Sequence, residues 1–179
     1  ASVERLHDPE GFNFGARNFT VSTVGLVPGI RKLTEDPLQI NLAISLHSAD
    51  DEIRSAMMPV NRRYPISDLL DAVRDYTAAT HRRVSFEYVL IEGKNDSEAE
   101  AEKLADVLLS KGKFPMHVNL IPLNPVKDTQ MTRSSRGRVN AFRDFLESRG
   151  VPATIRIQRG VDIDAACGQL AGDVASDLA

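Results

Sequence analysis

A single cysteine, Cys167, is all the thiol this chain carries. That excludes an internal disulfide, and it excludes an iron-sulfur or zinc-thiolate centre built from the chain's own cysteines. No apolar run reaches the roughly 20 residues that cross a bilayer, and the N-terminus has no charged-then-apolar signal pattern. The expected setting is the cytoplasm, with no membrane partner. Basic charge is not in excess either. The 22 Lys and Arg against 25 Asp and Glu leave a formal net charge of -3, so any grip on nucleic acid must come from local patches. There is no initiator Met, no internal repeat and no low-complexity stretch. The opening Ala1-Ser2-Val3-Glu4-Arg5-Leu6 reads as the late turn of a helix already under way, the expectation for a piece of a longer protein.

What is present suits one soluble domain: 179 residues, 42% of them hydrophobic, enough for a sizeable core and without a dividing linker. Short β-branched and apolar runs predict strands over 19–23, 40–46, 84–90, 117–121 and 153–157. Amphipathic stretches lie between them. Leu69, Leu70, Val73 and Tyr76 recur at helical spacing within 66–80, with Ser67 as a candidate cap. Ser97 and Glu100 make a capping box ahead of Leu104, Val107 and Leu108, and Ser134 or Ser135 opens a helix through Val139, Phe142 and Leu146. Repeated βα units predict an α/β fold with a parallel sheet. Five such units are too few for a closed eight-stranded barrel, so the expected architecture is a partial barrel truncated at its N-terminal strands.

In parallel βα folds, ligands gather where strands end and loops begin. The first strand runs into Ser22-Thr23-Val24-Gly25; Ser22 can bond a carboxylate or ribose, or the two hydroxyls simply cap the next helix. The second ends in Ser45-Leu46-His47, with Ser45 and His47 on one face at period two. A neutral imidazole there can bond an adenosine or a carboxylate, whereas metal binding is not expected because no second His stands at ligand spacing. Glu87 lies inside the apolar strand Val84 to Leu90 and needs either an ion-pair partner or a ligand. Asn124, held between Pro122 and Pro125, offers an amide at the fourth strand's end, or opens a turn. Basic residues collect at Arg62-Arg63, Arg82-Arg83, Arg133 to Arg138, and Arg156 with Arg159; they suit phosphate or are solvated surface. Cys167, among small residues, is either an accessible nucleophile or a buried inert thiol.

The run Asp162-Ile163-Asp164-Ala165-Ala166-Cys167-Gly168-Gln169-Leu170-Ala171-Gly172-Asp173, with STVG, AISLH, FEYVLIEGKND and NLIPLNP in order before it, closely resembles the RlmN family of 23S rRNA adenine-C2 methyltransferases. The resemblance extends from about Asp8 through Asp173. It implies a radical S-adenosylmethionine (SAM) fold, a partial TIM-like βα barrel, with residues 1–179 forming the C-terminal portion of the catalytic domain. It implies that Cys167 is the cysteine methylated during turnover and that Ser22, Ser45, Leu46, His47 and Asn124 contact SAM. In that family one SAM methylates the cysteine and a second is cleaved at a reduced [4Fe-4S] cluster. The radical so formed activates the S-methyl group for addition to adenine C2, and a second cysteine resolves the adduct by forming a disulfide. The family's CxxxCxxC cluster loop, glycine-rich SAM segment, upstream catalytic Glu and second cysteine are not in this sequence, so the chain alone is expected to be inactive. The implied partners are 23S rRNA and tRNA, presenting an unstacked adenine, and an electron donor for the cluster. Two alternatives stand beside this reading: a Cfr-type enzyme methylating adenine C8, and a non-catalytic, cluster-free barrel that binds nucleotide or RNA.

Overall fold

Strict alternation builds the centre of the molecule. From Val84 to Leu90, every second side chain (Val84, Phe86, Tyr88, Leu90) is fully buried while Ser85, Glu87 and Val89 are half-buried. Such a period of two gives a strand with one face under helices and one face open to polar groups. A computed structural model describes residues 2–124 and 131–156. In chain order its elements are α1 Ser2–His7, β1 Thr20–Thr23, α2 Val27–Thr34, β2 Asn41–Ser45, α3 Asp51–Met57, α4 Ile66–Thr80, β3 Val84–Leu90, α5 Glu98–Leu109, β4 Met116–Pro122, α6 Arg136–Ser148 and β5 Ala153–Ile155. Single 3-10 turns lie at Ala16–Asn18 and Pro59–Arg62.

The strands form one parallel sheet in the order β1-β2-β3-β4-β5. Each strand thus lies beside its predecessor, and right-handed crossovers that always step the same way put every connecting helix on the same side. That is barrel winding; a doubly wound sheet would reverse its order at a switch point. The helical face carries the core: Leu42, Ile44 and Leu46, the four inward residues of β3, and Val118 and Leu120 pack with Ile30, Leu69, Val73, Tyr76, Leu104, Leu108, Phe142 and Leu146. Burying such a side chain is worth about 1.5–3 kcal/mol before entropy is counted. Tyr76 also reaches across to donate its hydroxyl to the Ile40 carbonyl, tying α4 to the start of β2. The expected partial barrel is therefore the observed architecture, with strand limits within about two residues of those read from sequence.

The helix ends show where local reading fell short. α4 begins at Ile66, and its first amide donates to the Asp51 carboxylate at 2.9 Å, so the cap comes from α3. Ser67 receives Lys111 Nζ instead. α5 has half of its capping box: Ser97 Oγ accepts from the Glu100 amide, while the Glu100 carboxylate turns to Lys103. Of the two serines before α6, Ser135 is the cap. Ile157 and Cys167 lie outside the described residues.

Candidate functional site

Because all strands run parallel, their carboxyl ends share one rim, and Ser22, Ser45, His47 and Asn124 fall on it. At the end of β1 the two hydroxyls divide the work. Thr23 Oγ1 accepts from the Gly25 and Leu26 amides, both at 3.2 Å, and so takes the turn role. Ser22, one residue back on the opposite face, is exposed, and its hydroxyl has no hydrogen-bond partner among the described residues. Gly25 sits at φ +102°, and a Cβ there would lie 3.1 Å from Arg54 Nη2 and 3.2 Å from Leu69. Both the conformation and the space demand glycine.

The end of β2 departs from simple alternation. Extended geometry stops at Ser45, and His47 adopts a left-handed φ of 58°, a conformation costly for a residue with a Cβ. The strain is held by four sets of contacts. The Leu46 and His47 amides both donate to the Glu87 carbonyl, at 3.0 and 3.3 Å. Arg54, whose side chain is fully buried, donates to the carbonyls of Val24 (2.8 Å), Ser45 (3.0 Å) and Leu46 (3.1 Å), and to Asn61 Oδ1 (2.6 Å). Asn95 Nδ2 donates to the carbonyls of His47 (3.0 Å) and Val89 (2.7 Å), and its Oδ1 accepts from the Ile91 amide. Finally, the Val89 amide donates to His47 Nδ1 at 3.2 Å.

That last bond fixes the imidazole's chemistry. A nitrogen that accepts carries no proton, so in the neutral ring the proton sits on Nε2. Burial, and then the positive charge of Arg54, push the His47 pKa down to about 4, so the ring is neutral at physiological pH. Its Nε2–H is a fixed donor without a partner among the described residues. Leu46 is different: its side chain is fully buried and its amide and carbonyl are both engaged, so within the triplet it holds the turn. At the end of β4, Asn124 supplies the opposite polarity, a buried Oδ1 with no partner among the described residues.

Below the rim, the polar face of the sheet carries a continuous row. Ser45 is in register with Glu87, Glu87 with Asn119, and Asn119 with Thr154. Glu87 makes no ion pair within the described residues; Asn119 Nδ2 donates to its Oε1 at 2.7 Å, and its Oε2 is buried and unpartnered. Beyond Thr154, a cavity of about 970 Å³ opens between α6 and β5, with Arg133, Arg136, Arg143 and Arg156 on its wall. It holds none of Ser22, Ser45 or His47, so the arginine cleft and the strand-end rim are adjacent features. Arg138, from the same sequence cluster, is spent on Asp96 at 3.1 Å.

Several residues that build this site were invisible in the sequence. Nothing in the sequence singles out Arg54, and only its place beside the ends of β1 and β2 in the fold makes it a clamp. Asn95 lay within a recognisable motif, and its neighbour Asp96 accepts from the Gly93 amide to brace the same loop. Asn119, His117 and Thr154 become a unit only through strand register. Among the described residues, no group of three or more His, Cys, Asp or Glu is placed to hold a metal ion, and none of the described helices is long and apolar enough to cross a membrane.

No family model matches the chain. Individual proteins do. Proteins named probable dual-specificity RNA methyltransferase RlmN from Roseiflexus castenholzii and Chloroflexus aurantiacus are each 59% identical to it, over 97% and 96% of this chain and 45% and 46% of their own lengths. One from Symbiobacterium thermophilum is 51% identical over 94% of the chain and 45% of its own. Among solved structures, a radical SAM methyltransferase from Sphaerobacter thermophilus superposes with a TM-score of 0.89 at 55% identity, covering 93% of this chain and 48% of that one. A domain of pyruvate-formate lyase-activating enzyme from Bacteroides vulgatus shares the fold alone, with a TM-score of 0.59 at 22% identity over 77% of this chain and 80% of that one. The chain spans a little under half the length of the curated relatives it matches. Over the length that it spans, the chain is similar to the proteins named RlmN and has the fold of a radical SAM methyltransferase.

Proposed function

We propose that residues 1–179 are the C-terminal portion of the catalytic domain of a cytoplasmic radical SAM methyltransferase that methylates adenine C2 in 23S rRNA and tRNA through a methylated Cys167. The observation that carries this reading is the rim itself. Among the described residues it joins an unspent donor at His47 Nε2, an unspent buried acceptor at Asn124 Oδ1 and a free hydroxyl at Ser22, at the strand ends where βα barrels bind ligands.

These groups fit SAM, whose adenosine and methionine parts offer both donors and acceptors. His47 donates to an acceptor atom of the ligand, Asn124 accepts from a donor, and Ser22 does either. Leu46 acts through the turn it stabilises. When bound, SAM supplies an activated methyl group and, on one-electron cleavage, a hydrogen-abstracting carbon radical. The chain's part is to bind and orient it, and to offer the Cys167 thiolate as methyl acceptor. An iron-sulfur cluster does not fit the residues of this chain, which has one cysteine and no described metal-binding group; its ligands and the resolving cysteine are expected elsewhere in the full-length protein.

The arginine cleft supports an anionic partner at the same end of the sheet. Arg133, Arg136 and Arg156 have no carboxylate within ion-pair distance among the described residues, and guanidinium forks match phosphate oxygens. RNA is the partner that the family name and this charge together favour. The test is turnover by the full-length protein with SAM, a reductant and an rRNA fragment, followed by mass spectrometry of the nucleosides. Methylation at C2 is expected. Methylation at C8 would place the protein with the Cfr type, and RNA product from the Cys167→Ala variant would refute the assigned role of the thiol.

A further inference from the structure

Glu87 is unexplained by the rim described above. Its Oε1 terminates a chain of hydrogen bonds whose direction can be worked out atom by atom. Thr154 donates its hydroxyl proton to Asn119 Oδ1 at 3.0 Å, so it has none left for His117. His117 Nε2, 2.8 Å from Thr154 Oγ1, is therefore the donor in that contact. Asn119, with its oxygen occupied by Thr154, must present Nδ2 to Glu87 Oε1, at 2.7 Å. Every proton in the row points toward Glu87. Three side chains from β4 and β5 thus stabilise one carboxylate on β3, and the second oxygen of that carboxylate, Oε2, is buried with nothing to accept from among the described residues. Leaving a carboxylate oxygen buried without a donor costs free energy, a cost that a donor on a ligand would remove.

Position limits which donor. Glu87 is in register with Ser45 on the neighbouring strand, about 4.8 Å away across the ladder, so it lies directly beneath the strand end occupied by the Ser45-to-His47 turn. A small group bound over that turn on the open face of the sheet is within reach of Oε2. We propose that Glu87 Oε2 is a binding group for an adenosine, accepting a hydrogen bond from an N–H or O–H of its base or ribose. The inference rests on the functional reading above. Within that reading two adenosines are available, that of SAM and the target nucleotide of the RNA, and the same carboxylate chemistry serves either.

The experiment compares wild type, Glu87→Leu and Glu87→Gln in the full-length protein. It reads melting temperature without ligand, the SAM dissociation constant by calorimetry, and KM for the RNA substrate. Loss of a charge-assisted hydrogen bond is worth about 10-fold or more in affinity. Glu87→Leu is expected to show that loss in one arm: in SAM binding if the cofactor is the donor, in RNA KM if the target adenosine is. Glu87→Gln is expected to lose less, because the row can reverse. The substituted amide would then turn its oxygen outward, Asn119 would flip, and Thr154 would donate to His117, moving the imidazole proton from Nε2 to Nδ1. That tautomer change is visible in the 15N shifts of His117, and a purely structural carboxylate would give no ligand effect beside it. A fall in melting temperature with both ligand constants within about twofold of wild type overturns the proposal, as does a variant indistinguishable from wild type in all three. If the wild-type protein itself binds neither SAM nor RNA, the functional reading fails first, and the proposal falls with it.

Discussion

Acid should loosen this protein through one imidazole. In the folded state the His47 pKa is held at about 4, by burial first and Arg54 second, whereas an unfolded His titrates near 6.5. Between those values the unfolded chain binds a proton that the folded one refuses, so stability is complete above about pH 6.5 and falls as the pH drops toward 4. Linkage with these two values gives a loss of about 2 kcal/mol by pH 5 and about 3 kcal/mol by pH 4, order-of-magnitude figures that partial solvent exposure of the ring would reduce. The structural event is specific: protonation puts a hydrogen on Nδ1, which then cannot accept from the Val89 amide. Asn tolerates the left-handed backbone of position 47 and does not titrate, so His47→Asn isolates the effect. At pH 7.5 the variant should be less stable by about 1 kcal/mol, the worth of the missing Val89 bond. The two stability curves should then cross between about pH 5 and 6, below which the variant is the more stable. Urea denaturation from pH 7.5 to 4.5 measures both curves, and differencing them cancels the carboxylates common to each. Parallel curves across that range would refute the reasoning.

Three further perturbations follow from the same turn and the cleft beside it. Arg54→Ala strands Asn61 Oδ1 and takes a buried donor from the carbonyls of Val24, Ser45 and Leu46, and should cost about 3–5 kcal/mol in chemical denaturation; a loss under about 1 kcal/mol would mean that the clamp is not needed. Gly25→Ala meets both a positive φ and contacts at 3.1 and 3.2 Å. It should destabilise by about 1–3 kcal/mol, with amide shifts spreading to Arg54 and Ser22, and a variant as stable as wild type would contradict the tight approach. Replacing Arg133, Arg136 and Arg156 by Gln in the full-length protein should weaken RNA binding and flatten its dependence on salt by up to about two to three phosphate contacts; an unchanged salt slope would remove RNA from the cleft.

Much of the fold was legible because its signals are local. The apolar run from Val84 to Leu90 marked β3 in the sequence, the helical spacing of Leu69, Leu70, Val73 and Tyr76 named the buried face of α4, and the succession of βα units implied parallel winding. Caps were less legible where the chain solves them at a distance. The Asp51 carboxylate that receives the first amide of α4 is fifteen residues upstream, and no window around Ser67 reveals it. The rim residues Ser22, Ser45, His47 and Asn124 were found by asking what stands at strand ends, but that question says nothing of protonation or partners.

The site's electrostatics needed the third dimension for a more basic reason. His47 is a donor at Nε2 because an amide 42 residues later occupies Nδ1, and Glu87 is an acceptor in waiting because Asn119 and Thr154, from two other strands, fix the direction of every proton beside it. Both roles are set by register, and in a parallel sheet register depends on crossovers whose lengths carry no mark of it. Register is also why the sequence left two choices open at Glu87. An ion pair and a ligand contact place the same residue on the same strand, and the difference lies only in what the neighbouring strands bring alongside. Here they bring neutral donors, enough to hold one oxygen of the carboxylate and to leave the other for a group that arrives from outside.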